Sequence, residues 1–273
     1  MKNILVVDIG GTAVKLMISR REKRKFDTGL TLSPRQLVAG IKKTTAGWKF
    51  DAVSIGFPAP VAHGEIVKNP KNLAPGWIGW DFKKSLGKPT RVINDAAMQA
   101  LGSYRGGRML FLGLGTGLGS TLIWEKNVLP LELGDLPYGD GATIEDHLGK
   151  RGLDWLGRKT WEREVAAALE QLKLAFIADY IVLGGGNAKL LKDLPEDVEL
   201  GHNRNAYLGG CRLWQMQPGS RRAKWNVISL RATRSRSSSD RKSARDTAGS
   251  FAPESRPLFP TSSGCAPISG LPG

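Results

Sequence analysis

The chain has 273 residues, 41% of them hydrophobic and 24% charged, with a formal net charge of +15 and a pI near 10. That length can bury a sizeable core in one or two domains. It holds no run of about 18 apolar residues and no signal-peptide pattern, so a soluble cytoplasmic protein without a membrane partner is expected. Two cysteines, Cys211 and Cys265, provide neither a disulfide framework nor a thiolate metal site.

In chain order, residues 3–9 and 13–19 form paired apolar strands around a Gly-Gly turn, with a third strand near 25–30. Ser33 caps a helix with Pro34 at its first position, running to about Ala46. A short buried strand, 51–57, ends in the stiff stretch FPAPV. The following segment, GEIVKNPKNLAPGWIGWDF, is mostly loop, with a short helix closing near Leu86. Strand 90–94 hands over to helix 95–104. After Arg105-Gly106-Gly107 the plan restarts with strand 109–112, a glycine loop and strand 120–124. Helices follow at 143–148 and 160–176, the second with Trp161, Val165, Leu169, Leu172 and Phe176 on one face. Strand 180–183 then runs into three glycines.

Two halves that each begin strand, glycine turn, strand imply an internal duplication. The expected boundaries are 1–105, 106–217 and a tail at 218–273. The tail carries ten Lys or Arg against three Asp or Glu, so +7 of the net charge lies there. Its core, RATRSRSSSDRKSARD, has no helical or strand periodicity and reads as disordered. A solvated extension is favoured over nucleic-acid binding. The remaining positive charge lies on the globular part and calls for a polyanionic partner.

Three glycine loops carry the chemistry: DIGGT (8–12), GLGTGLG (113–119) and LGGGN (183–187). None matches G-x-G-x-x-G and no G-K-[ST] follows, so neither a dinucleotide fingerprint nor a P-loop is present. Each alone fits a hairpin or a packing contact. Together they can form backbone nests for phosphate oxygens, because a missing Cβ lets N–H groups approach an anion. Thr12 and Thr116 add hydroxyl donors, and Lys15 a point charge. Asp8, at the end of the first strand, can hold a hydrated Mg²⁺. Asp95, at the strand-to-helix junction, is either a helix cap or a base in the first turn, where the helix dipole favours its charge.

The three loops in this order, with IGFPAPV, NPKNLAPGW, VINDAAMQALGSY, LELGDLPYGDGATIEDHLG and IVLGGGN…NRNAYLGGCRLW, resemble the actin-like sugar kinases. Within these they resemble the ROK (repressor, open reading frame, kinase) family, and there the polyphosphate glucokinases. The resemblance covers about residues 3–217. It implies an α/β fold of two actin-like (ribonuclease H-like) domains facing each other across a cleft. The implied activity is transfer of a phosphoryl group from polyphosphate or ATP, with Mg²⁺, to the 6-hydroxyl of glucose or a similar hexose.

By the resemblance, Asp95 is the catalytic base, and Asn94, Asn72, Glu132, Asp135 and Glu145 bind the sugar. The donor is held by Asp8, Gly10, Gly11, Thr12, Lys15, Gly115, Thr116 and Gly117, with Gly184, Gly185, Gly186 and Asn187 bordering the adenosine. A homodimer is also implied. The sequence departs from the family where a histidine is replaced by Asp135, which removes a hydrogen-bond donor. His147 could substitute, although a helix-surface role is the simpler one. No cysteine lies between 132 and 145, so no zinc site is expected. Lys15, Arg20, Arg21, Lys23, Arg24, Lys25, Lys189 and Lys192 are candidates for guiding a long polyanion, which favours polyphosphate slightly over ATP.

Two further classes stay open: a sugar-binding protein of the family that has lost activity, and a kinase for another sugar such as an N-acetylhexosamine. A sugar-sensing repressor is disfavoured, because the first strand begins at Asn3 and leaves no room for a DNA-binding domain before it.

Overall fold

The computed structural model describes residues 3–229, except 30, 140, 203 and 216–224. The expectation of a disordered 218–273 tail falls outside those residues apart from 225–229.

The first sheet is built from β1 (Ile4–Ile9), β2 (Ala13–Met17) and β3 (Lys23–Asp27) as an antiparallel meander, with β4 (Ala52–Phe57) added parallel to β1. β1 and β4 are buried along their whole lengths, which is why both read as continuous apolar runs rather than alternating ones. Between β3 and β4 runs α1 (Pro34–Thr44), closed at its start by a capping box in which Ser33 and Gln36 exchange bonds. A small ribbon, β5 (Val61–Ala62) and β6 (Glu65–Ile66), and the helix α2 (Phe82–Leu86) follow. β7 (Thr90–Asn94) completes the sheet in the order β3-β2-β1-β4-β7 and leads directly into α3 (Asp95–Ser103).

The second sheet repeats the plan. β8 (Arg108–Leu114), β9 (Leu118–Trp124) and β10 (Asn127–Leu131) form the meander. After α4 (Ile144–Leu148), α5 (Lys150–Leu156) and α6 (Arg158–Ala175), strand β11 (Tyr180–Gly184) pairs parallel to β8, and β12 (Val198–Leu200) parallel to β11. Then come α7 (Asn205–Leu213) and β13 (Asn226–Val227), the latter an edge strand beside β10. Leaving out β13, the order β10-β9-β8-β11-β12 and the strand directions match those of the first sheet.

Helices α3 and α7 lie between the sheets. Their core joins Ile4, Val6 and Met17 of the first sheet to Met109, Phe111 and Val182 of the second. The two helices touch backbone to backbone, because a Cβ on Gly102 would overlap the Asn205 carbonyl and one on Gly209 the Met98 carbonyl. Gly210 seats α7 against Val6 of β1, and its carbonyl accepts a bond of 2.7 Å from the buried Ser54 hydroxyl of β4. The sequence reading ends its elements at the third glycine loop and leaves out α5, α7, β10 and β12. α5 and α7 are short and glycine-interrupted, and β12 is three residues long. Among the described residues no helix is long and apolar enough to cross a membrane.

Replacing Gly209 by Val forces these helices apart. Overpacking at such a contact costs about 1–3 kcal/mol. The expected result is a lower midpoint in urea unfolding with an unchanged m-value; an unchanged midpoint would contradict the backbone contact.

Candidate active site

The first hairpin is a hairpin and something more. Gly10 N–H closes the turn onto Ala13 O at 3.1 Å, and Thr28 ties it down through Oγ1 to Gly10 O at 2.8 Å. Asp8 and Lys15 face each other across the β1–β2 pair, with Lys15 Nζ 3.4 Å from Asp8 Oδ2. The Asp8 carboxylate is buried, and burial raises its pKa although Lys15 opposes the shift.

The second glycine loop comes up against the first. A Cβ on Gly11 would stand 2.9 Å from the Thr116 hydroxyl. The third loop is fastened to the second by a bond of 3.0 Å from Asn187 Nδ2 to Gly115 O. Gly185 adopts φ +84 and lies so close to the Leu114 carbonyl that a side chain would collide with it. Lys150 N–H, at the start of α5, also donates to Gly115 O, at 3.0 Å.

All three loops border one cavity of about 450 Å³. Of the sequence-derived residues, Asp8, Gly10, Gly11, Thr12, Lys15, Asn72, Asn94, Asp95, Gly115, Thr116, Gly117, Glu132, Asp135, Glu145, Gly185, Gly186 and Asn187 line it. Gly184 does not; it ends β11, where a Cβ would strike the Phe111 ring. Among the other cations named above, Arg20 to Lys25, Lys189 and Lys192 are exposed away from the cavity. Arg24 instead stacks on Trp48 and caps carbonyls at the end of α1. His147 does not reach the cavity either, and its ring packs against Tyr138 and Trp155.

Asp95 is the first residue of α3. The preceding Asn94 is the cap, its side chain accepting from Ala97 N–H at 3.0 Å, which leaves Asp95 aimed at the cavity. One oxygen of Asp95 accepts from Ala96 N–H at 2.8 Å. Although part of the residue opens to the cavity, the dense surroundings desolvate the carboxyl, and the nearby Asp8 and Glu132 carboxylates add repulsion. Together they push its pKa up to about 7, while the Ala96 bond works the other way.

On the facing wall stand Glu132, Asp135 and Glu145. Glu132 is raised by partial desolvation and then by Asp135, with Lys68 and Lys71 opposing. Glu145 Oε2 accepts from Leu118 N–H at 3.1 Å and lies over Gly117, where a Cβ would collide with it. Lys71 bridges the two carboxylates on this wall, 2.6 Å from Asp135 Oδ1 and 3.4 Å from Glu145 Oε1. The Asp135 bond is the main reason the lysine's pKa is raised.

Sequence reasoning missed Lys68, Lys71, Asn69, Gln99 and Lys150, all of which line the cavity. Lys71 stands inside the quoted NPKNLAPGW stretch, and a charge there opposite an acidic motif was the available signal. Among the described residues no cluster of three or more His, Cys, Asp or Glu could by itself hold a metal. A Mg²⁺ ion here would have the buried Asp8 carboxylate as its protein anchor, with phosphate oxygens and water completing the shell, a donor set that suits a hard cation.

Residues 4–130 match the ROK family. The polyphosphate glucokinase of Mycobacterium tuberculosis (strain H37Rv) is 28% identical, over 66% of this chain and 76% of the relative. The bifunctional enzyme NanE/NanK of Brucella melitensis is 31% identical, over 44% of this chain and 26% of that protein. Among solved structures, the inorganic polyphosphate/ATP-glucomannokinase of Arthrobacter sp. strain KM superposes with a TM-score of 0.69 at 22% identity, covering 78% of this chain and 98% of that one. The ROK-family glucokinase of Streptomyces griseus, in complex with glucose and AMPPNP, gives 0.62 at 19% identity, covering 77% and 98%.

The raised pKa of Asp95 has a consequence for stability. Between its ordinary 3.8 and about 7 the folded chain keeps a proton that the unfolded chain releases. The protonated group therefore favours folding fully below about pH 4, and this benefit is lost as pH rises through 7. Asp95→Asn is expected to be more stable than the parent at pH 8 by about 1–3 kcal/mol, discounted for solvent in the cavity, and equal to it near pH 3.5. Urea melts at the two pH values check this; a pH-independent difference would contradict the shift.

Proposed function

We propose that the chain is a hexose kinase that transfers a phosphoryl group from polyphosphate, ATP or both to the 6-hydroxyl of glucose or a similar hexose. The observation that carries this reading is Asp95, poised near neutrality in the one cavity that all three glycine loops border. The similarity to the M. tuberculosis relative and the match of residues 4–130 to the ROK family support it. In this reading residues 1–105 and 106–217 are the two lobes, with α7 reaching back to pack on β1 and β4.

The sugar lies against Glu132, Asp135, Glu145, Asn72 and Asn94, whose acceptors match vicinal hydroxyls. Its reacting hydroxyl donates to Asp95, which orients the oxygen and takes the proton as the new P–O bond forms and the bond to the leaving phosphate breaks. A loose transition state asks little of the nucleophile's basicity, so orientation is the larger part of the task. The N–H groups of loops 8–12 and 113–119, with Thr12, Thr116 and Lys15, hold the donor's oxygens. Bound Mg²⁺, anchored at Asp8, supplies charge neutralisation on the phosphates. Polyphosphate is slightly favoured as donor because the cavity lining adds Lys68 to Lys15, while Lys150 there is already paired with Asp154.

A second reading, a kinase for another sugar such as an N-acetylhexosamine, or a binding protein without turnover, is favoured by Asp135 in the sugar wall. The NanE/NanK relative adds to it.

One assay matrix tests these readings. Glucose, mannose, glucosamine and N-acetyl sugars are each paired with ATP or polyphosphate, with and without Mg²⁺. Mg²⁺-dependent formation of a hexose 6-phosphate is expected, lowered about 10³-fold or more by Asp95→Ala. Turnover of N-acetyl sugars alone would favour the second reading, and no turnover with any pair would overturn the kinase.

A further inference from the structure

Lys71 is the feature of this cleft that its sequence motifs leave unexplained. It belongs to the loop after β6, on the side of the first sheet, yet its ammonium pairs with Asp135 and Glu145 on the side of the second. The loop is not free to drift. Six residues on, Trp77 is fully buried and packs on Phe57, with ring centroids 4.9 Å apart. Its N–H is bonded to the Asn69 side chain at 3.2 Å, and its indole N–H to the Ala74 carbonyl. Lys71 is therefore presented from a pinned strap.

A wall of three carboxylates is a set of acceptors only, and its charge attracts any cation that fits. An ammonium has three donors. Two of those on Lys71 meet Asp135 and Glu145, which leaves one for an oxygen of a bound molecule.

We propose that Lys71 sets the acceptor specificity of the cleft: its ammonium fills the cation position that Asp135 and Glu145 create, so that neutral hexoses are accepted and hexoses carrying an ammonium group are rejected. This rests on the sugar-kinase reading and deepens it by naming the class of acceptor. A protonated 2-amino-2-deoxyhexose entering the occupied pocket meets a like charge, whereas a neutral sugar gains a charged donor. Rejection by an unfavourable like charge is a general route to specificity. Lys71 touches the sugar in this account, while the strap around Trp77 only positions it.

The test measures kcat/KM for glucose and for protonated glucosamine on the full chain, together with calorimetric Kd values for both sugars. The wild type, Lys71→Met, Lys71→Arg and Asp135→Asn are compared. In the wild type glucose is preferred. Lys71→Met lowers the glucose-to-glucosamine ratio by about tenfold or more, the scale of one pocket contact, through KM and Kd more than kcat. Lys71→Arg restores the ratio, and Asp135→Asn shifts it further toward glucose.

An unchanged ratio in Lys71→Met, or a wild-type preference for glucosamine, overturns the proposal while leaving the kinase reading standing. If the wild type binds sugars without turning them over, the Kd ratios decide in the same way and the kinase reading alone falls. Absence of hexose binding overturns both.

Discussion

The approach of Gly11 to Thr116 is the constraint on which the rest of the cleft depends. Two turns from two separate sheets come within contact distance there, and they do so because the first has no side chain at the meeting point. The arrangement is supported from behind by α3 and α7, which cross on Gly102 and Gly209 with no room for a methyl group. The cavity is therefore placed by close packing both in its own lining, at Gly11 and Thr116, and behind it, at α3 and α7. That leaves the other lining residues free to serve binding, at the cost of glycine positions that tolerate little substitution.

The charges in the cavity are arranged against their own solvation. Asp8 is buried, Asp95 is crowded, and the Glu132, Asp135 and Glu145 carboxylates share one wall. Lys15 meets the first of these and Lys71 the last two. Asp95 has no cationic partner among the described contacts, and it is the group whose pKa moves to about 7. A carboxyl whose pKa lies near 7 suits a proton acceptor working near neutrality. Lys71 completes the wall from across the cleft, where it pairs with Asp135 and Glu145.

Much of this was legible in the sequence because it is local. The paired strands around Gly10 and Gly11, the Ser33-Pro34 cap and the Asn94-Asp95 junction are set by neighbours along the chain, and the structure places them where that logic does. The glycine loops were legible as a set, and they border a single cavity. Less accessible were features fixed by distant partners. Lys71 sits 64 residues from Asp135, and no periodicity connects them. The basic turn at Arg20–Lys25 looked suited to a polyanion, yet its residues face outward and Arg24 is engaged with Trp48. β13 hides in a stretch whose composition speaks of disorder, and it is made by an edge of β10 that accepts it.

The claim that the two turns form one anion site is tested most directly by calorimetric titration of Gly11→Val with tripolyphosphate and, separately, with the acceptor sugar, each in Mg²⁺ buffer. The account predicts that the phosphate isotherm is lost while the sugar isotherm stays within about threefold of the parent, since the added side chain pushes only against Thr116. Phosphate binding at parental affinity in that variant would contradict it.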